Sequence, residues 1–379
     1  MKICATIAEF NPFHNGHGYL INAFKHDFDA TVCIMSGNFV QRGAPAVYNK
    51  FARAKAAVAN GVDLVIELPI VYALSSAENF ATGAVKTLNA ANCIDTLFFG
   101  SETGEISHLR DIANLALNET DDFKSALRQK LNMGMSYPKA IGEVYASYGF
   151  DKDIVSSPNN ILGIEYIKAL IKTKSTIKPA TLKRFGASHD SFIASNSIAS
   201  ASHIRSLIEK GSFTQNFMPA FPYPAPVFEK QFSDIIIYAL KAATFEDLVA
   251  VPDCSNELAS RFITASNATS VPDIINYVKT KNFTESRIRR ILWNLVLKNT
   301  IPPTIEPTYI RVLAQNKRGS EVISLIKQVS SLPVVQKSAE LKRDKIFLLE
   351  SKATNIYNIA AHHPSGEDFR HSPIPVSVD

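Results

Sequence analysis

Residues 2–20 read KICATIAEFNPFHNGHGYL, and this stretch decides the fold. Ile3, Ala5 and Ile7, with small residues between them, suit a buried parallel strand, and Asn11-Pro12 ends it because proline restricts its predecessor and lacks an amide donor. Helical periodicity starts at about Asn15. The first-turn amides and positive dipole end of that helix then face the carboxyl edge of the sheet, where open α/β folds bind anions. His14 and His17 stand three apart, so their imidazoles share one face of the first turn and both can donate to phosphate oxygens. Gly16 leaves space for a base or ribose against the backbone. A capping turn with two surface histidines is the competing explanation. Strand, proline break, H-x-G-H and helix in succession favour a nucleotide-phosphate site.

Outward from this unit, apolar runs alternate with helical periods. Strands are expected over 2–9, 31–35, 64–67, 96–99 and 177–185. Helices are expected over 15–24, 51–60, 77–90, 106–117, 123–131, 140–148 and 160–172. That alternation predicts a doubly wound, mostly parallel sheet. Four consecutive helices exceed one crossover, so residues 105–175 are expected to form a helical insertion over the site. Residues 217–227, FMPAFPYPAPV, hold four prolines, which neither a helix nor a central strand accepts. The boundary between an α/β domain over 1–215 and a mainly helical one over 228–360 is placed there, with amphipathic helices at 228–243, 256–266, 272–281 and 284–298. Residues 362–379 are poor in apolar side chains and rich in Pro and Ser, and are expected to be a mobile tail. His362, His363 and His371 belong to that tail and are not assigned to a metal.

Composition bounds the function without choosing it. With 379 residues, 46% hydrophobic and 20% charged, the chain has the balance of a soluble protein with room for two cores. It has no run of roughly eighteen apolar residues and no basic region followed by a cleavable apolar stretch, so a cytoplasmic location away from membranes is expected. Cys4, Cys33, Cys93 and Cys254 lack C-x-x-C spacing and read as reduced thiols. Residues 279–345 carry fourteen Lys plus Arg against five Asp plus Glu, although the whole chain is only +5. This local excess fits a phosphate-backbone docking surface or a solvated helix face; beside a nucleotide site, nucleic acid is the better account.

The segment 2–20 resembles the H-x-G-H signature of the nucleotidylyltransferase superfamily, whose members bring ATP or CTP to an acceptor and release pyrophosphate. SGNFVQRG at 36–43, KFARAKAAVANGVDLVIEL at 50–68, FFGSE at 98–102 and SPNNILGIEYI at 157–167 extend the likeness. Together they are similar to one family, the bacterial tRNA(Met) cytidine acetate ligases. The resemblance is dense to about residue 200 and loose beyond. It implies a Rossmann-like α/β nucleotidylyltransferase domain with a mainly α-helical C-terminal domain that binds tRNA. It further implies ATP-dependent activation of acetate to acetyl-adenylate, then acetyl transfer to N4 of the wobble cytidine of elongator tRNA(Met), releasing AMP and pyrophosphate.

Adenylation of acetate is an in-line displacement at the α-phosphate, so the protein mainly positions two anions and neutralises charge. His14 and His17 are assigned to the pentacoordinate phosphate and the leaving group. The floor of the ATP site is expected over Ile7, then Ala8, Glu9 and Phe10 at the strand tip, Asn11 in the turn, and Pro12, Phe13, Asn15, Gly16, Gly18, Tyr19 and Leu20 beyond. Gly100, at the end of the fourth strand, either admits adenosine or makes a tight turn, and the resemblance tips it toward the nucleotide. An Asn cap explains itself in SPNN, yet the resemblance implies an ATP contact there, at Asn159 more than Asn160. Arg184 offers forked donors to phosphate.

Other candidates are weaker. Ser200 and Ser202 can cap a helix and donate to the triphosphate, with Arg205 adding charge, but His203 departs from the superfamily's small residue and a plain N-cap serves equally. Ser36 and Arg42 sit on a glycine-bounded loop, where Arg42 can hold the acetate carboxylate or a tRNA phosphate. Glu67 fits a magnesium ligand, an orienting group or a structural salt bridge. Arg287, Arg289 and Arg290 are the candidate tRNA contacts. Magnesium is expected only as the triphosphate's companion, with no protein metal site. Two other functions stay open: a small-molecule nucleotidylyltransferase, and a non-catalytic RNA-binding protein regulated by nucleotide.

Overall fold

The chain lays down β1 (Ile3–Ala8), β2 (Ala30–Ser36), a short hairpin of β3 (Phe39–Val40) and β4 (Ala44–Pro45), then β5 (Leu64–Leu68), β6 (Thr96–Ser101) and β7 (Lys178–Lys183). After a long helical excursion it adds β8 (Ile310–Gln315), β9 (Val334–Val335) and β10 (Ile374–Pro375). The structure is a computed structural model that describes residues 1–184 and 198–377. All five expected strands form; Phe185, at the end of the last, lies outside the described residues.

Sheet order is β10-β8-β5-β2-β1-β6-β7, with β9 beside β8. From β5 to β7 every ladder is parallel. β2 and β5 lie on one side of β1 while β6 and β7 lie on the other, so the order reverses between β1 and β6. At such a switch point the loops leave in opposite directions and open a crevice at the carboxyl ends of the strands.

Strand alternation explains why helices cover both faces. Val32, Ile34, Leu64 and Ile66 join one core with Phe80, Leu88, Ile164 and Ile167 of the helices Ala77–Ala91 and Pro158–Lys172. Cys33, Met35 and Val65 point the other way and pack with Ile21 of α1 (Asn15–Lys25) and Phe51, Ala54 and Val58 of α2 (Lys50–Ala59). The insertion between β6 and β7 comprises Ile106–Leu117, Asp121–Asn132, Tyr137–Ser147 and Lys152–Ser156 ahead of Pro158–Lys172.

The proline-rich segment is packed rather than slack. Phe217 accepts the Asn15 amide through its carbonyl at 2.9 Å, Val227 donates to the Val47 carbonyl at 2.8 Å, and Tyr223 stacks on Tyr48 at 4.2 Å. Beyond it come the helices Ser233–Ala242, Phe245–Ala250, Asn256–Ala265, Val271–Val278 and Glu285–Val296.

Two expectations about the C-terminal part need correction. Residues 228–360 are mainly helical, but β8 leaves them to pair antiparallel with β5, so the C-terminal part completes the central sheet. Residues 362–377 are anchored, not loose: Glu367–Arg370 is a helical turn, β10 pairs with β8, and Asp368 is fully buried. Residues 378–379 lie outside the described residues.

The anchor is a charge cluster. Lys50 Nζ lies 2.5 Å from Glu67, 2.8 Å from Asp368 and 3.1 Å from Glu350; Arg311 Nη1 lies 2.8 Å from Glu67 and 2.9 Å from Asp368. None of the five is more than 2% exposed. Charges so buried persist only when paired with one another. Burial, with Glu67 and Asp368 nearby, pushes the Glu350 carboxyl up to about 8, whereas Lys50 and Arg311 outweigh burial at Asp368 and hold it at about 2. Of the three roles open to Glu67, the structure gives it the salt bridge.

Candidate active site

Two histidines build the cap of α1. His14, at the N-cap, accepts the Gly16 amide on Nδ1 at 3.1 Å, and His17 accepts the His14 amide on its own Nδ1 at 3.2 Å. This is the reciprocal logic of a capping box, with imidazoles replacing hydroxyl and carboxylate. Since both Nδ1 atoms accept, both rings are neutral and carry their proton on Nε2. The rings stack at 3.7 Å, and Phe10 packs edge-on against His17 at 4.9 Å. Burial, reinforced by His14 and Arg184, holds His17 well below the ordinary histidine range, so it remains a neutral donor near pH 7. The capping turn and the anion site, alternatives in the sequence, use the same atoms.

One side chain from α2 fixes the strand ends beneath this cap. Arg53 is fully buried and donates to the carbonyls of Glu9, Gly37, Ser36 (3.1 Å) and Tyr48 (2.9 Å), tying the tips of β1 and β2 together. Asn11 then accepts the Val47 amide at 2.8 Å, and its carbonyl accepts from Arg205 at 2.8 Å. Phe10, at φ 43°, redirects the chain between strand and turn.

A cavity of about 930 Å³ opens at the switch point. Ile7, Ala8, Glu9, Phe10 and Asn11 line its β1 side, with His14, His17 and Leu20 from α1. Phe99, Gly100, Asn159 and Arg184 line the β6 side. A β-carbon on Gly100 would sit 3.1 Å from Arg184 Cγ, so the glycine lets that arginine lie against the strand end. Glu102 and Asn160 clasp each other: the carboxylate accepts the Asn160 amide at 2.8 Å, and Asn160 Oδ1 accepts the amides of Glu102 and Thr103 at 2.9 and 3.2 Å. Asn160 is therefore a buried structural residue, while Asn159 faces the cleft and accepts from Arg184 at 3.4 Å. The far wall comes from the β3–β4 hairpin and two helix starts, at Ser76 and Thr284. Arg42, Arg184, Arg205, Arg289 and Arg290 line the cavity against two carboxylates, Glu9 and Glu285, so the cleft attracts anions.

The family described as HIGH Nucleotidyl Transferase matches residues 1–371. A tRNA(Met) cytidine acetate ligase of Caldanaerobacter subterraneus subsp. tengcongensis is 39% identical, covering 95% of this chain and 96% of that protein. The enzyme of the same name from Thermoanaerobacter sp. is 40% identical, covering 98% and 99%. The chain belongs to the tRNA(Met) cytidine acetate ligase family. Crystal structures of Thermotoga maritima TmcAL, 31% identical, superimpose with TM-scores of 0.91 for the apo form and 0.88 for the form bound with alpha-thio ATP, each covering 99% of this chain and 100% of the other.

Within this family member, the turn after β1 and the periodicity of α1 together split the expected ATP stretch. Pro12, Phe13, Asn15, Gly16, Gly18 and Tyr19 do not line the cleft. Phe13 is buried in the core behind it, Gly16 contributes its amide to the cap, and Tyr19 is exposed on the outer face of α1. Ser200 lines the cavity as an N-cap that accepts the His203 amide, whereas Ser202 does not line it and pairs with Arg205 at 3.2 Å. Arg42 lines the wall, but Ser36 is buried below it with its carbonyl on Arg53.

The three candidate tRNA arginines separate. Arg289 and Arg290 line the cleft and Arg287 does not. All three are ion-paired, Arg287 and Arg290 with Asp253 at 3.1 and 3.3 Å and Arg289 with Glu285 at 2.9 Å and with Glu229. The basic excess of 279–345 is thus partly neutralised by acids outside that window. Gln41, on the same glycine-bounded loop as Arg42, also lines the cleft, and so do Ser76, Tyr166, Thr284 and Ser286, which were not singled out from the sequence. Ser76 and Thr284 announce themselves only as helix N-caps, and nothing local says which cap faces a cavity. Among the described residues, no three His, Cys, Asp or Glu side chains converge as metal ligands, and no helix is long and apolar enough to cross a membrane.

Proposed function

We propose that this protein activates acetate with ATP and transfers the acetyl group to N4 of the wobble cytidine of elongator tRNA(Met). The observation that carries the proposal is the paired imidazoles, each with Nδ1 committed as an acceptor to the helix cap, which leaves Nε2 to donate, at the switch point of a cleft rich in arginine. Such donors match phosphate oxygens and cannot act as acceptors toward them.

In the first half-reaction, acetate oxygen attacks the α-phosphorus of ATP and pyrophosphate departs in line. His14 and His17 hydrogen-bond the oxygens that gain charge as the centre becomes pentacoordinate. Arg184 and Arg205, on opposite sides of the H-x-G-H turn, neutralise the polyphosphate, and Gly100 and Asn159 border the nucleoside. Arg42, from the hairpin wall, is suited to the acetate carboxylate. Magnesium enters with the triphosphate as its counter-ion. In the second half-reaction the cytosine is splayed from the anticodon loop into the cleft, because a stacked base cannot present its amine to the mixed anhydride. Arg289 and Arg290, on the far wall, meet the RNA backbone. A cytoplasmic site of action follows from that substrate.

The test is to incubate the pure protein with labelled acetate, ATP and magnesium, with and without tRNA, then digest the RNA. Acetylated cytidine that depends on all four components is the expected result. Pyrophosphate release driven by a different acceptor points to a small-molecule nucleotidylyltransferase, and ATP binding without turnover points to a regulatory site.

A further inference from the structure

A cleft equipped with arginines and imidazole Nε2–H donors suits phosphates, yet acetyl transfer to cytosine needs the opposite kind of group. The exocyclic amine presents two N–H donors, and its lone pair is delocalised into the ring. It becomes an effective nucleophile only as one proton leaves. Among the described residues lining the cleft there are two carboxylates, Glu9 and Glu285. Glu285 is occupied by Arg289, whose Nε lies 3.0 Å away, and by Lys279 at 3.5 Å. The side-chain oxygens of Asn11 and Asn159 already accept from Val47 and Arg184.

Glu9 differs. Its carbonyl is held by Arg53 and its Oε1 accepts the Gln41 amide at 2.7 Å, which fixes the side chain at the tip of β1 with Oε2 unpartnered among the described residues. We propose that Glu9 is the general base of acetyl transfer, taking the proton that the cytosine N4 amine loses. In that step the N4–C bond to the acetyl carbon forms and the C–O bond to the AMP phosphate breaks. AMP leaves with the electron pair, and the N4 proton passes to Glu9 Oε2 and then to water.

The surroundings of Glu9 make it a stronger base than an exposed glutamate. Burial raises its carboxyl above the ordinary glutamate range, against the Gln41 amide and the charges of Arg205, Arg42 and Arg53. Those cations come from the helix Ala201–Glu209, the hairpin and α2, and Tyr166 faces it from Pro158–Lys172. The transfer rate is therefore expected to rise with pH as Glu9 deprotonates and then to level off.

The inference rests on the two-step function proposed above, so the experiment reads the two steps separately in the full-length protein. Acetate-dependent exchange of labelled pyrophosphate into ATP reports adenylation, and single-turnover transfer to tRNA reports acetylation. Glu9→Gln keeps the acceptor for the Gln41 amide but cannot take a proton. Its transfer rate is expected to fall roughly hundredfold or more, well beyond any loss in exchange, and to lose its rise with pH. Glu9→Asp, which retains a carboxylate, is expected to recover part of the transfer rate. Equal losses in both steps, or no loss in transfer, overturn Glu9 as the base and leave the overall function standing. Absence of acetate-dependent exchange in the unmodified protein overturns the function, and the base with it.

Discussion

Asp368→Asn is expected to unfold the C-terminal anchor at a calculable cost. Near pH 7, Lys50 and Arg311 are balanced by Glu67 and Asp368, while Glu350, pushed up to about 8, is mostly protonated, so the buried cluster is neutral as a whole. Asparagine preserves shape and removes one negative charge, leaving a buried cation uncompensated, which costs about 3–5 kcal/mol. The pH dependence has a definite sign. A carboxyl raised in the folded state contributes stability that is full below its unfolded pKa and is lost as pH rises through the folded value, so Glu350 withdraws support from the wild type toward pH 8. Without Asp368, the unpaired cations favour ionised Glu350, its pKa falls, and that alkaline loss shrinks. The gap between variant and wild type is therefore widest at about pH 4–5, narrows as Glu350 withdraws its support, and changes little above about pH 8. In stronger acid the two converge again, because Asp368 contributes above the usual aspartate pKa and loses that contribution as pH falls through about 2. Guanidinium unfolding followed by the single tryptophan, Trp293, which is fully buried against Phe39 and Phe232, measures the gap. Equal midpoints near about pH 5, or a gap that grows from about pH 5 to about pH 8, refute the anchoring argument.

Three further outcomes are expected. His17→Ala removes a donor and the cap to the His14 amide, so acetate-dependent pyrophosphate exchange falls roughly hundredfold or more while stability drops by only about 1 kcal/mol; unchanged exchange removes His17 from the chemistry. Arg289→Ala lowers tRNA affinity and reduces the slope of log affinity against log salt by about one; an unchanged slope moves the RNA surface elsewhere. Gly43→Ala places a β-carbon 2.6 Å from the Arg290 backbone nitrogen at a φ of 76°, which pushes the hairpin off the helix Glu285–Val296. Its stability is expected to fall by about 1–3 kcal/mol, and a variant as stable as wild type contradicts the close approach.

Much of the catalytic half was legible because its signals are local. The strand-to-helix unit at 2–20 depends on apolar alternation, a proline break and an N-cap, all of which act within a few residues. His14 and His17 meet because helix geometry brings positions three apart together, whatever surrounds them. The same rule separated the lining residues His17 and Leu20, three apart on α1, from Tyr19 on its outer face, although the sequence grouped all three in one stretch. Arg289 and Arg290 were visible as charge, and Glu285 stands at helical spacing from Arg289, but Glu229 and Asp253 lie 60 and 37 residues away from Arg289 and Arg290, so that part of their neutralisation was not legible.

By itself the sequence determined the parallel α/β core, the H-x-G-H turn at its strand end and the helical character of residues 233–296. Only the tertiary structure decided that β8 returns to pair with β5, that Asp368 locks the last residues onto Lys50 and Arg311, and that the Gln41 amide fixes the Glu9 carboxylate. Periodicity records how a segment meets its own neighbours. Which distant segment supplies the missing hydrogen-bond edge or counter-charge is settled when the chain closes around its core.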